Sequence, residues 1–416
     1  MKLLKQKREI VLSKLIFLVL FGSFGAFASF LNLHFEQVVG LTGSQIGFIT
    51  FVGMIAAVIM NPISGYIADK TGAHELILRI TFFAAAALGA IYAGSQHFLL
   101  IVIVSAVFEG LRAPISPMID YLSTSYCVKH QYDYGKVRVY ASWGFLSVAM
   151  ATGFMVAGFE LDIFGHSIGF PGFISLEFAA FGIFIIMSSL GVILSCLLPK
   201  PDKTLKQGKE VAKKGFEKKD VRALLRNRRF VFIVVLSMVG FMALESAYGF
   251  ATMHIVTSLG ASENFVSWLV FFMVGPELLI VPLGTVLVFK MGLKNWYIFS
   301  LMTMIFRLLV YSFAVSPLVF ALGGMVHAIM VVMHVAGTFA YVRHVVEPKV
   351  LGLAFTILSS SLLLSRAFFS FAYGFIYENV SSFAVFQFAA IIVSIALLMA
   401  IKSKHLKEVG AEIGII

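Results

Sequence analysis

The chain has 416 residues, 60% of them hydrophobic and 13% charged, with a mean hydropathy of +0.95 and a formal net charge of +11. Soluble domains are roughly half apolar and a quarter charged, so this composition excludes a soluble enzyme. Its two cysteines, Cys127 and Cys196, exclude a disulfide scaffold and a cysteine-rich metal site.

The apolar residues fall in blocks of about twenty with almost no charge, the length a helix needs to cross hydrocarbon. In chain order the blocks predict twelve spans: 14–35, 45–67, 75–95, 98–122, 136–158, 174–198, 229–256, 263–289, 295–314, 317–342, 350–375 and 380–401. If the N-terminus, with Lys2, Lys5, Lys7, Arg8 and Lys14, is cytoplasmic, alternate loops should be rich and poor in Lys and Arg. The expected outer loops, around 36–44, 96, 159–173, 257–262, 315 and 376–379, contain neither, only acids such as Glu36, Glu160, Asp162 and Glu378. The reading is an all-α polytopic protein of the cell membrane with both termini cytoplasmic. No small-residue cleavage site follows the first apolar run, so that run is expected to remain a helix.

The basicity is topological and is not a nucleic-acid footprint. Residues 200–229 hold twelve Lys and Arg against four acids, +8 of the net +11. They read as a cytoplasmic linker drawn to anionic headgroups, with a regulatory docking segment as the alternative. The linker separates six spans from six, so the expected domains are 1–199, a linker at 200–228, and 229–416. That division is the repeated-half layout many transporters use.

Between spans two and three lies Gly65-Tyr66-Ile67-Ala68-Asp69-Lys70-Thr71-Gly72. Glycines permit positive φ and close helix approach, and Asp69 can meet a neighbouring helix N-terminus while Lys70 stays in water; the alternative is an ordinary turn. Placed after span two in a six-plus-six chain, the segment resembles the G-x-x-x-D-[RK]-x-G signature of the major facilitator superfamily, which implies a cytoplasmic gating role for Gly65, Asp69, Lys70 and Gly72. The match stops at Gly72, since His74 and Glu75 fall where basic residues are usual. The second-half counterpart, Val286 to Gly292, keeps a basic residue and a glycine but lacks the acid. Leu41-Thr42-Gly43-Ser44-Gln45-Ile46-Gly47 and Tyr134-Gly135-Lys136-Val137-Arg138 are similar to the oligosaccharide:proton symporter branch, lactose permease-like and phenylpropionate permease-like proteins. That resemblance places Asp120 and Arg138 at the branch's substrate-binding acid and arginine. Glu277, Arg307 and His327 fall at its acid in span eight, arginine in span nine and histidine in span ten. His327 with His334 looks more like the phenylpropionate permease subgroup. There are departures: Gly324 and Met330 stand where the branch has a lysine and a proton-binding glutamate, and Phe145 where it has a sugar-stacking tryptophan. Trp143 is two residues earlier, about 200° away around the helix. Arg366 sits about one turn deeper than the branch's lysine.

The charges within spans carry an expectation of their own. An ionised side chain near the bilayer centre costs about 2.5 to 3.5 kcal/mol on insertion scales, so it should be paired, hydrated or neutral. Residues equally far in sequence from a cytoplasmic turn lie at equal depth on antiparallel helices. Asp120 and Arg138 are each nine residues from Lys129. Glu277 and Arg307 are each fifteen from Gly292, which after subtracting the turn puts both about 18 Å deep at 1.5 Å per residue. Glu245 and Arg366 share a depth of roughly 24 Å, a third expected pair. Glu109 and Arg112, three apart, share one helix face. Each pair is read either as a structural salt bridge or as one that opens during a transport cycle. His327 and His334, seven apart on one face of span ten, are read as satisfied polar groups or as substrate or proton ligands.

Phe24, Phe27, Phe30, Phe35, Tyr140, Trp143, Phe145, Phe241, Tyr248, Phe271 and Phe272 are candidate cavity walls, or packing. Pro114, Pro117 and Pro276 mark bends beside buried charge. There is no G-x-x-x-x-G-K-[ST] phosphate loop, H-E-x-x-H or C-x-x-C, so an ATP-driven pump, metalloprotease or redox centre is not expected, and no cofactor is. The reading is a monomeric secondary carrier moving a small solute, a sugar, nucleoside or aromatic acid, with protons. Glu277 is the first choice to titrate, followed by Glu245 and Glu109, with Arg307 tuning it. An exporter of drugs or metabolites is the alternative, and a receptor or scaffold is a third reading.

Overall fold

The computed structural model describes residues 2–163, 166–198 and 218–412. Most of the linker expected at 200–228 therefore lies outside the described residues. Among the described residues, ten helices are long and apolar enough to cross a membrane, and two shorter apolar helices, Asn264–Ile280 and Pro317–Val332, occupy the places of spans eight and ten. The two short helices are broken where local chemistry breaks them. Span eight passes through a 3₁₀ turn at Val281–Leu283, around a proline at 282 that has no N–H to donate, before Gly284–Met291 completes it. In span ten a 3₁₀ turn at Gly323–Val326 and a wide π turn at Met333–Thr338 flank His327–Val332. Span four, expected to end at 122, runs from Phe98 to His130, with a turn at Ala113 and Pro114.

Helix ends follow their sequence signals. Span two starts on a capping box, in which Gln45 N–H donates to Thr42 Oγ1 and Thr42 N–H donates to Gln45 Oε1. It stops at Gly72, whose φ of 67° is left-handed. One expected loop differs: β1 (Gly158–Ile163) pairs antiparallel with β2 (His166–Pro171). In β1 the sequence FELDI alternates apolar and polar residues, as a half-buried strand does.

The chain divides into two compact units, residues 1–213 with 261–268, and residues 214–260 with 269–416. In the first unit, spans one and five approach to backbone contact. A Cβ on Gly144 would lie 2.1 Å from the Leu18 carbonyl oxygen, and one on Gly25 2.4 Å from that of Phe145. Phe27, Phe35, Tyr92, Phe108, Phe181 and Phe184 fill the interior with ring contacts of 5.1–6.5 Å. Phe27, Phe30 and Phe35 are fully packed there, so they are core and not cavity wall. In the second unit Tyr311, Phe320 and Phe386 play the same part.

A detail of the first helix in each unit bears on internal repetition. His34 and His254 each lie in the last turn or so of the first span of their unit, spans that end at Gln37 and Ser258. They are 2% and 0% exposed, and neither ring has a hydrogen-bond partner. Both carbonyls accept from the N–H five residues on, Val39 at 3.2 Å and Leu259 at 3.0 Å. Both rings are boxed by aromatics, His34 by Phe35 and Phe181, His254 by Phe320, Phe383 and Phe386. The halves thus share a local geometry that their sequences do not advertise.

Candidate functional site

Each unit holds its own charged cluster. In the first, Glu109 and Arg112 form the ion pair their i, i+3 spacing predicts, and the guanidinium lies over the ring of Phe24 at 4.3 Å. Burial explains this double arrangement: a cation away from water is held both by its counter-charge and by an aromatic face. Phe24, a candidate wall, thus serves as the platform for Arg112.

Asp120 and Arg138 also meet, as their equal distance from the turn between spans four and five implies. Arg138 Nε is 3.7 Å from Asp120 Oδ1, and both side chains are more than a third exposed. The nearer partner of that oxygen is the Tyr134 hydroxyl, which donates to it at 2.6 Å; Ser116 Oγ donates to Oδ2 at 3.5 Å. Arg138 itself lies over the ring of Phe21 at 4.4 Å and that of Phe17 at 5.3 Å. Ser116 stands four residues before Asp120, so helical spacing could have flagged it; Tyr134 lies at the start of the next span, and no spacing rule points from it to Asp120.

Trp143 is 52% exposed, and Phe145 is half-buried two residues on. What places Phe145 is its carbonyl, pressed against Gly25 of span one, a contact that no motif encodes. Behind these groups, Glu9 of span one is buried and paired with Lys129 at 3.0 Å and with His130. That cluster ties the start of span one to the end of span four.

In the second unit the expected pairs are rearranged. Glu277 and Arg307 do not pair directly. His327 stands between them, with Nδ1 2.8 Å from Arg307 Nη1 and Nε2 3.1 Å from Glu277 Oε1. An arginine cannot accept a hydrogen bond, so Nδ1 is the acceptor and Nε2, facing the carboxylate, carries the hydrogen of the neutral ring. Arg307 also reaches Met273 Sδ at 3.2 Å and lies over Tyr311 at 5.0 Å. Nor does Glu245 pair with Arg366. Glu245 Oε1 lies 3.9 Å from His327 Nε2, while Arg366 makes no ion pair among the described residues and its Nε is buried without a partner. Equal depth sets the height of a side chain, whereas its direction around the helix comes from packing, and here packing turns both acids toward one imidazole.

His334 stacks on Phe241 at 4.1 Å. Since Phe241 and Glu245 are one turn apart on span seven, His327 and His334 do face the same stripe of that helix. In the motif from Gly65 to Gly72, Lys70 lies over Tyr66 at 5.8 Å, Gly65 borders open space, and the side chain of Asp69 lies outside the described part. Gly292, the counterpart of Gly72, also has positive φ, 79°.

Among the described residues, ten long and two shorter apolar helices, with ionisable side chains grouped inside each unit, are the architecture of a polytopic membrane protein of the transporter kind. The chain matches the MFS_1 like family over residues 10–388, and it belongs to that family. It is 25% identical over 409 residues to an uncharacterized transporter, YwbF, of Bacillus subtilis (strain 168), covering 97% of this chain and 96% of that one. It is 22% identical over 404 residues to a maltose permease of Geobacillus stearothermophilus, covering 96% and 95%. Among solved structures, the nucleoside transporter NupG superposes with a TM-score of 0.77 at 16% identity, covering 95% of this chain and all of that one. A D-xylose-proton symporter gives 0.70 at 15% identity, covering 96% and 97%.

Proposed function

We propose that the protein is a proton-coupled symporter of a small solute, a sugar or nucleoside before an aromatic acid, working by alternating access in the cell membrane with both termini cytoplasmic. The observation that carries the coupling is the chain Arg307, His327, Glu277, with Glu245 beside it. Two carboxylates share one imidazole, and the far side of that imidazole is occupied by a guanidinium. A second proton on the ring must go to Nδ1, where Arg307 already donates, so protonation of His327 and its bond to Arg307 are mutually exclusive. A proton arriving at Glu277 removes the charge that faces Nε2. Either event rearranges the cluster, which is what coupling a proton to a conformational change requires. This makes His327, assigned to substrate binding from its sequence position, part of the proton path.

The solute class draws support from the relatives: one is a maltose permease, and two proteins of the same fold are a nucleoside transporter and a D-xylose-proton symporter. Asp120, Arg138 and the exposed Trp143 offer a carboxylate, a forked donor and an indole face, suited to hydroxyl-rich rings. A potential of 100 mV supplies about 2.3 kcal/mol per proton, enough to concentrate a neutral solute roughly fifty-fold. The test is transport in proteoliposomes with maltose, xylose and uridine as probes. Glu277→Gln is expected to abolish accumulation driven by a pH gradient while counterflow persists. Full retention of acid-driven accumulation removes Glu277 from coupling, and a pH gradient that drives probe outward establishes the exporter.

A further inference from the structure

Tyr134 and Arg138 compete for one oxygen. Both approach Oδ1 of Asp120, the hydroxyl to 2.6 Å and the guanidinium Nε only to 3.7 Å. An unshielded carboxylate beside an arginine normally takes it in a two-pronged grip with N to O distances near 2.8 Å, and this pair lacks that grip. The Arg138 guanidinium makes no hydrogen bond among the described residues, and it lies over the phenyl rings of Phe17 and Phe21. Tyr134 in turn is braced edge-on against Phe17, with ring centroids 6.4 Å apart at 72°.

From this geometry we infer that Tyr134 is a positioning residue: by occupying Asp120, it keeps the guanidinium fork of Arg138 open for an oxygen-bearing group of the substrate. The inference deepens the transport reading and rests on it for the identity of the ligand, though not for the state of the fork. The hydroxyl suits the task. Burial first, and the Asp120 charge second, push its pKa above the ordinary tyrosine value, so it remains a donor across the physiological range. Phe17 and Phe21 complete the arrangement by holding the guanidinium plane without using any of its N–H groups. The fork then presents two parallel donors, the geometry that a carboxylate, a phosphate or a pair of sugar hydroxyls can fill.

Three groups thus have separate roles. Asp120 anchors the hydroxyl, Tyr134 occupies the carboxylate oxygen nearest the arginine, and the Arg138 guanidinium stays part-exposed with its N–H groups unbonded. Without the hydroxyl, Asp120 Oδ1 has no donor nearer than the arginine, and the 3.7 Å gap should close into a salt bridge that withdraws the fork.

The experiment uses the full-length protein and needs no substrate. Phenylglyoxal reacts with guanidinium groups that are not tied up in ion pairs, and peptide mass spectrometry follows Arg138 alone. In Tyr134→Phe the labelling rate of Arg138 is expected to fall about tenfold, the factor that a charge-assisted hydrogen bond imposes on its donor. Adding Asp120→Asn to Tyr134→Phe should restore the rate, because no carboxylate remains to capture the arginine. A merely structural tyrosine would show neither the slowing nor the rescue. Wild-type labelling in Tyr134→Phe overturns the inference, as does slow labelling that Asp120→Asn fails to relieve. Uptake of maltose, xylose or uridine, measured alongside, separates the two levels. Slow labelling with rescue but no transport of any probe in the wild type leaves the fork assignment standing and removes the substrate reading.

Discussion

Arg307 donates Nη1 to Nδ1 of His327 at 2.8 Å, and in doing so turns the other nitrogen of the ring toward Glu277. The guanidinium therefore acts on the acid at one remove, through the tautomer it imposes. Arg307→Lys keeps the charge but loses the planar fork that meets His327 and Met273 together. Proton-driven accumulation in Arg307→Lys is expected to fall at least about tenfold, a loss of roughly 1.4 kcal/mol, with counterflow retained; equal rates in the two proteins would show that charge alone suffices.

Glu109 and Arg112 are a buried pair whose members depend on each other. Removing one side of such a pair leaves an uncompensated charge and costs about 3 kcal/mol. Glu109→Gln should therefore lower the thermal unfolding temperature in detergent markedly, and the double change Glu109→Gln with Arg112→Gln should recover most of the loss. Additive destabilisation in the double variant would mean that the two groups do not act as a pair.

The aromatic boxes around His34 and His254 make a prediction of opposite sign. A buried donor with no acceptor costs about 1 to 3 kcal/mol, and each ring here has two buried nitrogens without partners. His254→Phe and His34→Phe keep a ring in the box and remove those nitrogens, so each is expected to raise stability by about 1 kcal/mol. Denaturation of the purified variants checks this. A fall in stability for both would mean that the nitrogens are satisfied by buried water.

At the cytoplasmic end expected for the second unit, Glu412 of the C-terminal helix His405–Glu412 accepts from His344 at 2.7 Å and from Arg229 at 3.1 Å, while Glu408 pairs with Arg229 at 3.2 Å. The His344 bond first, and Arg229 after it, hold the Glu412 carboxyl below its ordinary value. A depressed acid stabilises the folded arrangement at pH above its unfolded value, about 4.3, and the contribution disappears as pH falls through the lower, folded value. Limited proteolysis around 403–412 should accelerate as pH drops below about 4.3, and Glu412→Gln should show that faster cleavage already at pH 7. Cleavage in Glu412→Gln no faster than wild type at pH 7 would remove the carboxylate from the attachment.

The legible parts of the site are those that depend on position along the chain. Asp120 with Arg138 follows from counting residues to a turn, and Glu109 with Arg112 from helical periodicity. The same count put Glu277 beside Arg307 and Glu245 beside Arg366, and there it failed. Depth is a property of one helix, but azimuth depends on the helices packed against it. The π turn at Met333–Thr338 and the 3₁₀ turn at Gly323–Val326 flank the segment that carries His327, and neither has a signature in residue spacing. Tyr134 was within the quoted motif, yet its hold on Asp120 appears only when spans four and five are set side by side.

By itself the sequence determined that this chain lies in a membrane, roughly where its spans fall, and which buried charges need partners, because hydrophobic length, capping and desolvation cost act locally and are written in consecutive residues. Only the tertiary structure decided which partner each charge takes. That choice is made by close backbone contacts such as Gly25 against Phe145 and by the rotation of broken helices, and both arise from packing between segments far apart in the chain.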